Sequence, residues 1–171
     1  MTELQEMDSE MTSTVTQDHT LQARIDNMMS INGPAVKALI GFARSAEGQG
    51  VPQQTLQLAV LRASQINGCS VCVDMHTKES LAAGETTERL FAVSAWRDAP
   101  YFTEAERAAL ALAEAVTRIG DQSDPVPDAV WQAAAAHYDD KQLTALVVAI
   151  SAINSFNRIN VATRQVAGWS G

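Results

Sequence analysis

The stretch QINGCSVCVDMH, residues 65–76, holds the side chains best suited to chemistry. It contains the only two cysteines of the chain, Cys69 and Cys72, and a histidine, His76, four positions after the second cysteine. Residues at i, i+3 and i+7 share one face of a helix, so these three side chains are predicted to lie together. Two cysteines at this spacing can close a disulfide after modest adjustment at the start of a helix. One thiol can then reduce a peroxide, the other can resolve the sulfenic acid, and the histidine can move protons.

Two physical effects favour different cysteines as the attacking thiol. Cys69 follows the helix-breaking pair Asn67-Gly68, which predicts a place in the first turn of a helix. Unpaired N–H groups and the helix dipole stabilise a thiolate there and lower its pKa. His76, however, lies one turn after Cys72 and is its nearer proton partner. We assign the attack to Cys72, because the leaving oxygen of a peroxide must also receive a proton.

Metal, haem and purely structural roles are alternatives for the same residues. A structural zinc site needs four ligands, and neither His19 nor His137 repeats a ligand pair that would complete one. A c-type haem motif needs histidine directly after the second cysteine, where this chain has Val73. Two buried cysteines beside a hydrogen-bonded histidine remain a structural alternative. We therefore predict neither a bound metal nor a resident cofactor.

Composition and charge limit the class of protein. The 171 residues suffice for one domain, and the net charge of -8 does not suit a nucleic-acid partner. The first 20 residues include five acidic residues and no Lys or Arg, so residues 1–22 are predicted to be a disordered or loosely ordered tail before a domain over 23–171. The longest apolar run, 143–153, is shorter than a membrane span. We expect a soluble, cytoplasmic protein, in which a structural disulfide would be unusual.

The elements that must position the cysteines are predicted to be helices, and the fold class is all-α. Proline, glycine and capping-box signals mark the helix ends, including Thr103 with Glu106. The predicted helices cover about 34–47, 53–67, 69–83, 87–96, 104–119, 127–138 and 139–166. The last helix is apolar nearly all round at its centre, which predicts burial against other helices or against a second subunit. Near its end stands a polar cluster, expected to cap a buried cavity or an interface: Asn154, Asn157, Arg158 and Asn160.

A weak internal repeat relates the helix before the cysteines to the last helix. Four residues recur 87 positions later in the same order: Leu56, Ser64, Ile66 and Asn67 correspond to Leu143, Ser151, Ile153 and Asn154. The second copy has Phe156 and Ile159 where the first has its two cysteines. This pattern predicts a duplicated two-helix unit in which one copy kept the chemistry.

The runs LRASQINGCSVCVDMHTKESLAAGE and ERLFAVSAWRDAPYFTEAERAALALAEAVT resemble the carboxymuconolactone decarboxylase family, and more closely its alkylhydroperoxidase D-like branch. The resemblance covers about residues 30–168. It implies an all-helical domain that assembles into oligomers, often trimers or hexamers, and reduces hydroperoxides at a CxxC dithiol. It also implies that Cys72 is the peroxidatic cysteine, that Cys69 is the proton donor and resolving thiol, and that His76 is the histidine of the motif. Reductant would come from a dihydrolipoyl protein or another thiol carrier.

The sequence departs from the pattern of that branch in two places. The relay glutamate expected twelve positions before the first cysteine is Gln57, which can orient a histidine but cannot accept a proton. The histidine that some members carry before the second cysteine is Val71. Glu79, one turn after His76, is an alternative carboxylate. We therefore expect slow peroxide reduction, with a non-catalytic helical oligomer or a redox sensor as the alternative; true decarboxylases of the family lack the CxxC pair.

Overall fold

The computed structural model describes residues 21–120 and 122–168, and every regular element within them is helical, so the all-α prediction is confirmed. The elements in chain order are α1 (Met28–Ile31), α2 (Gly33–Arg44), α3 (Gln53–Asn67), α4 (Ser70–Ala82), α5 (Thr87–Ala92) with the 3-10 helix Val93–Asp98 directly after it, α6 (Glu104–Thr117), α7 (Asp128–Ala135) and α8 (Asp140–Ala162). The predicted tail lies outside the described residues except for positions 21 and 22. Its boundary with the domain stays a prediction.

The helix ends follow the local signals of the sequence in most places. Thr103 and Glu106 form the predicted capping box of α6, and Pro52 precedes the first residue of α3. Four predictions were wrong in detail. The helices predicted over 34–47 and 127–138 end at Arg44 and Ala135. The helix predicted over 87–96 changes to a 3-10 helix at Val93, because Ala95 leaves the helical region with φ -126° and ψ 34°. The last helix ends at residue 162 rather than about 166.

Helix α3 lies at the centre of the domain and packs against α4, α6 and α8. One side of it contributes Leu56 to a core shared with α6 and α8, in which Leu146 and Ile150 are completely buried. Another side contributes Leu61 to a second core with Trp96 and other large side chains. Because α3 is held on several sides, the point where it ends is fixed, and so is the start of α4.

Judged by length and composition alone, helix α8 is long and apolar enough to cross a membrane. The shorter apolar run 143–153 in the sequence did not indicate this. Of the 18-residue window that meets this test, 44% is buried inside the fold. Its buried residues pack against α3 and α6, as those of a central helix in a helical domain do.

Helices α3 and α8 run side by side in the same direction. At their beginnings Gln142 Nε2 donates to the carbonyl oxygen of Gly50 (2.9 Å), and near the end of α3 Asn67 Nδ2 donates to Asn154 Oδ1 (2.9 Å). The two asparagines are 87 positions apart and are equivalent residues of the internal repeat. The two helices also begin 87 positions apart, which agrees with a duplicated helical unit.

A buried carboxylate, Glu114 of α6, joins three segments of the chain. Its oxygens accept hydrogen bonds from Arg62 Nε (2.7 Å), Trp96 Nε1 (3.0 Å), Arg97 Nη2 (2.8 Å) and Arg118 Nη1 (3.0 Å). Burial alone would raise the pKa of Glu114, but the hydrogen bonds from Arg97, Trp96 and Arg62 outweigh it and hold the pKa at about 2. The carboxylate is therefore ionised across the ordinary pH range.

Glu114→Gln is expected to lower the free energy of unfolding at neutral pH by about 3 kcal/mol, because it leaves arginine charges without their partner. The folded-state pKa lies below the ordinary glutamate pKa of 4.5, so this stabilisation is full above pH 4.5 and is lost as the pH falls towards 2. Urea unfolding at neutral and acidic pH measures both effects. Glu104→Gln, which removes a carboxylate that is 83% exposed, is the control. An equal loss in both variants would contradict the prediction.

Candidate functional site

The connection between α3 and α4 places the two cysteines. Gly68 ends α3 in the left-handed conformation (φ 66°), which glycine adopts without the penalty that a Cβ brings. Cys69 caps the beginning of α4, and its Sγ accepts the backbone N–H of Cys72 (3.3 Å). Cys69 therefore lies one position outside the helix rather than within its first turn. Its sulfur nevertheless contacts a free N–H group at the beginning of α4, as the sequence predicted for one of the cysteines.

Cys69 and Cys72 are joined as a disulfide, with their Cα atoms 5.4 Å apart. Both side chains are about 99% shielded from solvent. The structure thus represents the oxidised state of a pair whose ability to pair was predicted from the spacing. A buried disulfide of this kind needs a path by which a small molecule can reach sulfur.

A cavity of about 1010 Å³ supplies that path. Its lining includes Cys72, His76, Gln57 and Glu79. Its apolar wall comes from several helices, with Leu56, Val60, Met75, Ile153 and Phe156 among the side chains. Both cysteines belong to a small buried core with Ala63 and Ile153, but of the two only Cys72 borders the cavity. Molecules that enter the cavity therefore meet Cys72 and not Cys69.

The imidazole of His76 is fixed by two oxygen atoms. Nδ1 lies 3.0 Å from Gln57 Oε1 and 3.3 Å from Glu79 Oε2. Because an amide oxygen and a carboxylate both accept hydrogen bonds, Nδ1 carries the proton and the neutral ring keeps its lone pair on Nε2. Nε2 is buried and has no hydrogen-bond partner among the described residues. It is the ring atom available to take a proton from a thiol or to give one to a substrate.

The protonation of His76 is set by opposing effects. Burial lowers the pKa of His76, and the charge and hydrogen bond of Glu79 oppose this effect without cancelling it. The imidazole is therefore neutral at neutral pH, in the form that can act as a base. The side chain of His76 is 12% exposed and that of Glu79 is 51% exposed, so Glu79 connects the buried ring with solvent.

Asn160 of α8 is a site residue whose contact with sulfur the sequence did not reveal. Its Nδ2 donates to Cys72 Sγ (3.3 Å) and lies 3.8 Å from Cys69 Sγ. The sequence signal was the polar cluster at the end of an apolar helix. Within that cluster, Asn154 and Asn157 instead bind Asn67.

Two chain segments complete the wall of the cavity. The segment before α1 is tied to the end of α8, where the N–H of Arg24 donates to the carbonyl oxygen of Thr163 (2.8 Å). The segment after α8 is tied to α4, where the N–H of Gly168 donates to Asp74 Oδ2 (3.2 Å). Both segments border the cavity, so the approach to Cys72 depends on residues near both ends of the described chain.

The described residues offer no metal centre at this site. Among residues 21–120 and 122–168, no group of three or more His, Cys, Asp or Glu side chains is arranged to hold a metal ion. The two sulfurs are bonded to each other and His76 Nδ1 faces oxygen atoms. The arrangement is suited to thiol chemistry with proton transfer by a histidine.

Comparisons with known proteins agree with this description of the fold. The profile of the carboxymuconolactone decarboxylase family matches residues 34–115. The uncharacterized protein YdfG of Bacillus subtilis (strain 168) is 36% identical over 127 residues, which cover 74% of this chain and 85% of that protein. The debrominase Bmp8 shares the fold, with a TM-score of 0.71 at 20% identity over 81% of this chain and 74% of its own.

A crystal structure of a protein from Agrobacterium tumefaciens indicates the branch of the family to which this chain is similar. That protein has no known function and is considered a candidate antioxidant defence protein AhpD. It superposes with a TM-score of 0.80 at 37% identity, covering 87% of this chain and 100% of its own. Together with the family match, this similarity means that the chain belongs to the carboxymuconolactone decarboxylase family, among its AhpD-like proteins.

Proposed function

We propose that this protein is a thiol-dependent peroxidase that reduces organic hydroperoxides or hydrogen peroxide through a dithiol–disulfide cycle of Cys69 and Cys72. The observation that carries the proposal is the disulfide whose Cys72 borders a cavity that His76 also lines, with a ring Nε2 that has no hydrogen-bond partner in the described part of the chain. A thiol, a proton-transfer group and room for a substrate are the parts that this reaction needs. A volume of about 1010 Å³ accommodates an organic hydroperoxide.

The first step consumes the peroxide at Cys72. His76 Nε2 takes the thiol proton, and the thiolate attacks the terminal oxygen of ROOH. The S–O bond forms as the O–O bond breaks, which gives a sulfenic acid at Cys72 and an alkoxide. The alkoxide then receives the proton from His76 and leaves as ROH. Sulfur is oxidised by two electrons and the peroxide is reduced by two.

The second step forms the disulfide seen in the structure. The Cys69 sulfur displaces the hydroxyl group of the sulfenic acid, and the thiol proton leaves with that group as water. Two further electrons and two protons must then come from an external dithiol, which becomes a disulfide itself. We propose a dihydrolipoyl protein or another thiol carrier as this partner, and the cytoplasm as the compartment. Assembly into a trimer or hexamer stays a prediction.

Reductive dehalogenation is a second candidate, favoured by the volume of the apolar cavity beside Cys72. The debrominase Bmp8 shares this fold, although at 20% identity. In such a reaction an aryl bromide and the dithiol would give the arene, bromide, a proton and the disulfide, so electrons again balance. The same cysteine pair and the same reductant would serve both reactions.

Sustained consumption of cumene hydroperoxide with dihydrolipoamide as the reductant is the expected result for the native protein. One equivalent of peroxide should remove two thiols per reduced chain, because the sulfenic acid is resolved within the chain. Thiol counting and coupled peroxide assays make these measurements. A matched assay with a bromopyrrole in place of the peroxide distinguishes dehalogenation.

The other outcomes identify the alternatives. Loss of two thiols without sustained turnover would indicate a redox sensor and would contradict the peroxidase proposal. No loss of thiols would indicate a non-catalytic helical domain that retains the motif. If the protein turns over the bromopyrrole but not the peroxide, dehalogenation replaces peroxide reduction as the proposed function.

A further inference from the structure

The two sulfurs differ in their nearest hydrogen-bond donor, and the side-chain amide of Asn160 lies closer to Cys72 Sγ (3.3 Å) than to Cys69 Sγ (3.8 Å). Cys69 Sγ accepts the backbone N–H of Cys72 (3.3 Å), so negative charge on Cys69 is stabilised by the beginning of α4. Cys72 lies inside that helix, and its Sγ faces a donor from another helix, the side-chain amide of Asn160 (3.3 Å). The beginning of α4 therefore favours charge on Cys69, the cysteine that does not border the cavity.

We infer that Asn160 is a catalytic residue of the dithiol and that its side-chain N–H is the hydrogen-bond donor that stabilises the thiolate of Cys72. A hydrogen bond to an ionised acceptor is roughly twice as strong as one between neutral groups. The side-chain amide of Asn160 is also neutral, so it adds no charge that would alter the proton affinity of the His76 imidazole. The identification of Cys72 as the attacking sulfur rests on the proposed function, whereas the stabilised thiolate can be measured without turnover.

The backbone holds Asn160 in position for this contact. It lies in the last turn of α8, and its carbonyl oxygen accepts the N–H of Gln165 (2.9 Å) where the chain leaves the helix. One turn earlier, Asn157 is completely buried and hydrogen-bonded to Asn67 and Ser64 of α3. The end of α8 is thus fixed against the helix that leads into the cysteines, and the amide of Asn160 is directed at sulfur by that packing.

Other ionisable groups around Cys72 do not supply this donor. His76 presents Nε2 without a proton when the ring is neutral, so it accepts rather than donates. The remaining charged residues that border the cavity come from α4, α2, the loop after α2 and the segment before α1: Asp74, Glu79, Arg44, Glu47 and Asp26. Four of these five are acidic, so their summed field opposes a thiolate and makes a direct donor more important.

The test uses Cys69→Ser protein, in which Cys72 is the only cysteine, so that the ultraviolet absorbance of its thiolate can be titrated against pH. Adding Asn160→Ala is expected to move the midpoint to a pH about one unit higher, because one hydrogen bond to the charged form is lost. Asn160→Asp has the same size, replaces the donor by an acceptor with negative charge, and is expected to move the midpoint further in the same direction.

Ser155→Ala is the matched control, because Ser155 lies on the same helix and its hydroxyl binds only the carbonyl oxygen of Ser151 among the described residues. Its midpoint should equal that of the parent. The inference is overturned if Asn160→Ala, shown to be folded by circular dichroism, leaves the midpoint unchanged, or if Ser155→Ala shifts it equally. A shifted midpoint in a protein without peroxidase activity would support the inference and refute only the proposed function.

Discussion

Cys72→Ser is expected to abolish peroxide reduction, whereas Cys69→Ser should keep the first chemical step and accumulate a sulfenic acid at Cys72. The reason is geometric, because Cys72 borders the cavity and Cys69 does not. Dimedone labelling followed by mass spectrometry measures the sulfenic acid. Reaction with one equivalent of peroxide should label the Cys69→Ser protein and leave the Cys72→Ser protein unlabelled.

This experiment separates two effects that act on different sulfurs. The beginning of α4 donates an N–H to Cys69 Sγ, whereas Asn160 donates to Cys72 Sγ and His76 is the proposed proton partner of Cys72. Labelling of Cys69 in the Cys72→Ser protein, with none in the other variant, would show that the helix end decides which thiol attacks. Far-ultraviolet circular dichroism of both variants establishes that the helices are retained.

Gln57→Glu is expected to raise the rate of peroxide reduction by at least about tenfold, the lower edge of what general-base assistance contributes. Gln57 Oε1 lies 3.0 Å from His76 Nδ1, so a carboxylate at this position would contact the same N–H. A negative charge there makes Nε2 more basic and stabilises the imidazolium that forms when the thiol loses its proton. Initial rates with cumene hydroperoxide and dihydrolipoamide measure the gain.

The pH dependence and two control variants make this prediction specific. The new carboxyl group helps only when it is ionised, so the gain should appear as the pH rises through its pKa and disappear below it. It should also vanish when His76→Ala is added. Because Glu79 Oε2 already lies 3.3 Å from Nδ1, an unchanged rate in Gln57→Glu together with a loss in Glu79→Gln would assign the relay to Glu79.

Local signals in the sequence were sufficient for most of the fold and for the centre of the site. Proline, glycine and capping residues act within one turn of a helix, so their effects can be read without knowledge of distant parts of the chain. The same holds for Cys69, Cys72 and His76, which one short stretch of chain brings together. The contact of Gln57 with His76 was expected from the family resemblance, and the structure contains it.

Contacts between distant helices could not be predicted in this way. Asn160 is 88 positions from Cys72, and the helix that carries it is apolar nearly all round, so periodicity did not identify the side that faces the cysteines. The contact between Arg62 and Glu114 could not be predicted for the same reason, because the two residues are 52 positions apart. The covering of the cavity by both ends of the described chain depends on packing that no local pattern encodes.

The hydrogen bond between Asn67 and Asn154 also bears on the symmetry of the fold. A residue meets its own equivalent in a second copy only when it lies next to the axis that relates the two copies. The axis that relates α3 to α8 therefore passes beside this pair of asparagines. The copy without cysteines places Phe156 in the wall of the cavity and Asn160 against the sulfur of Cys72. One copy of the repeat thus forms part of the surroundings of the cysteines that the other copy carries.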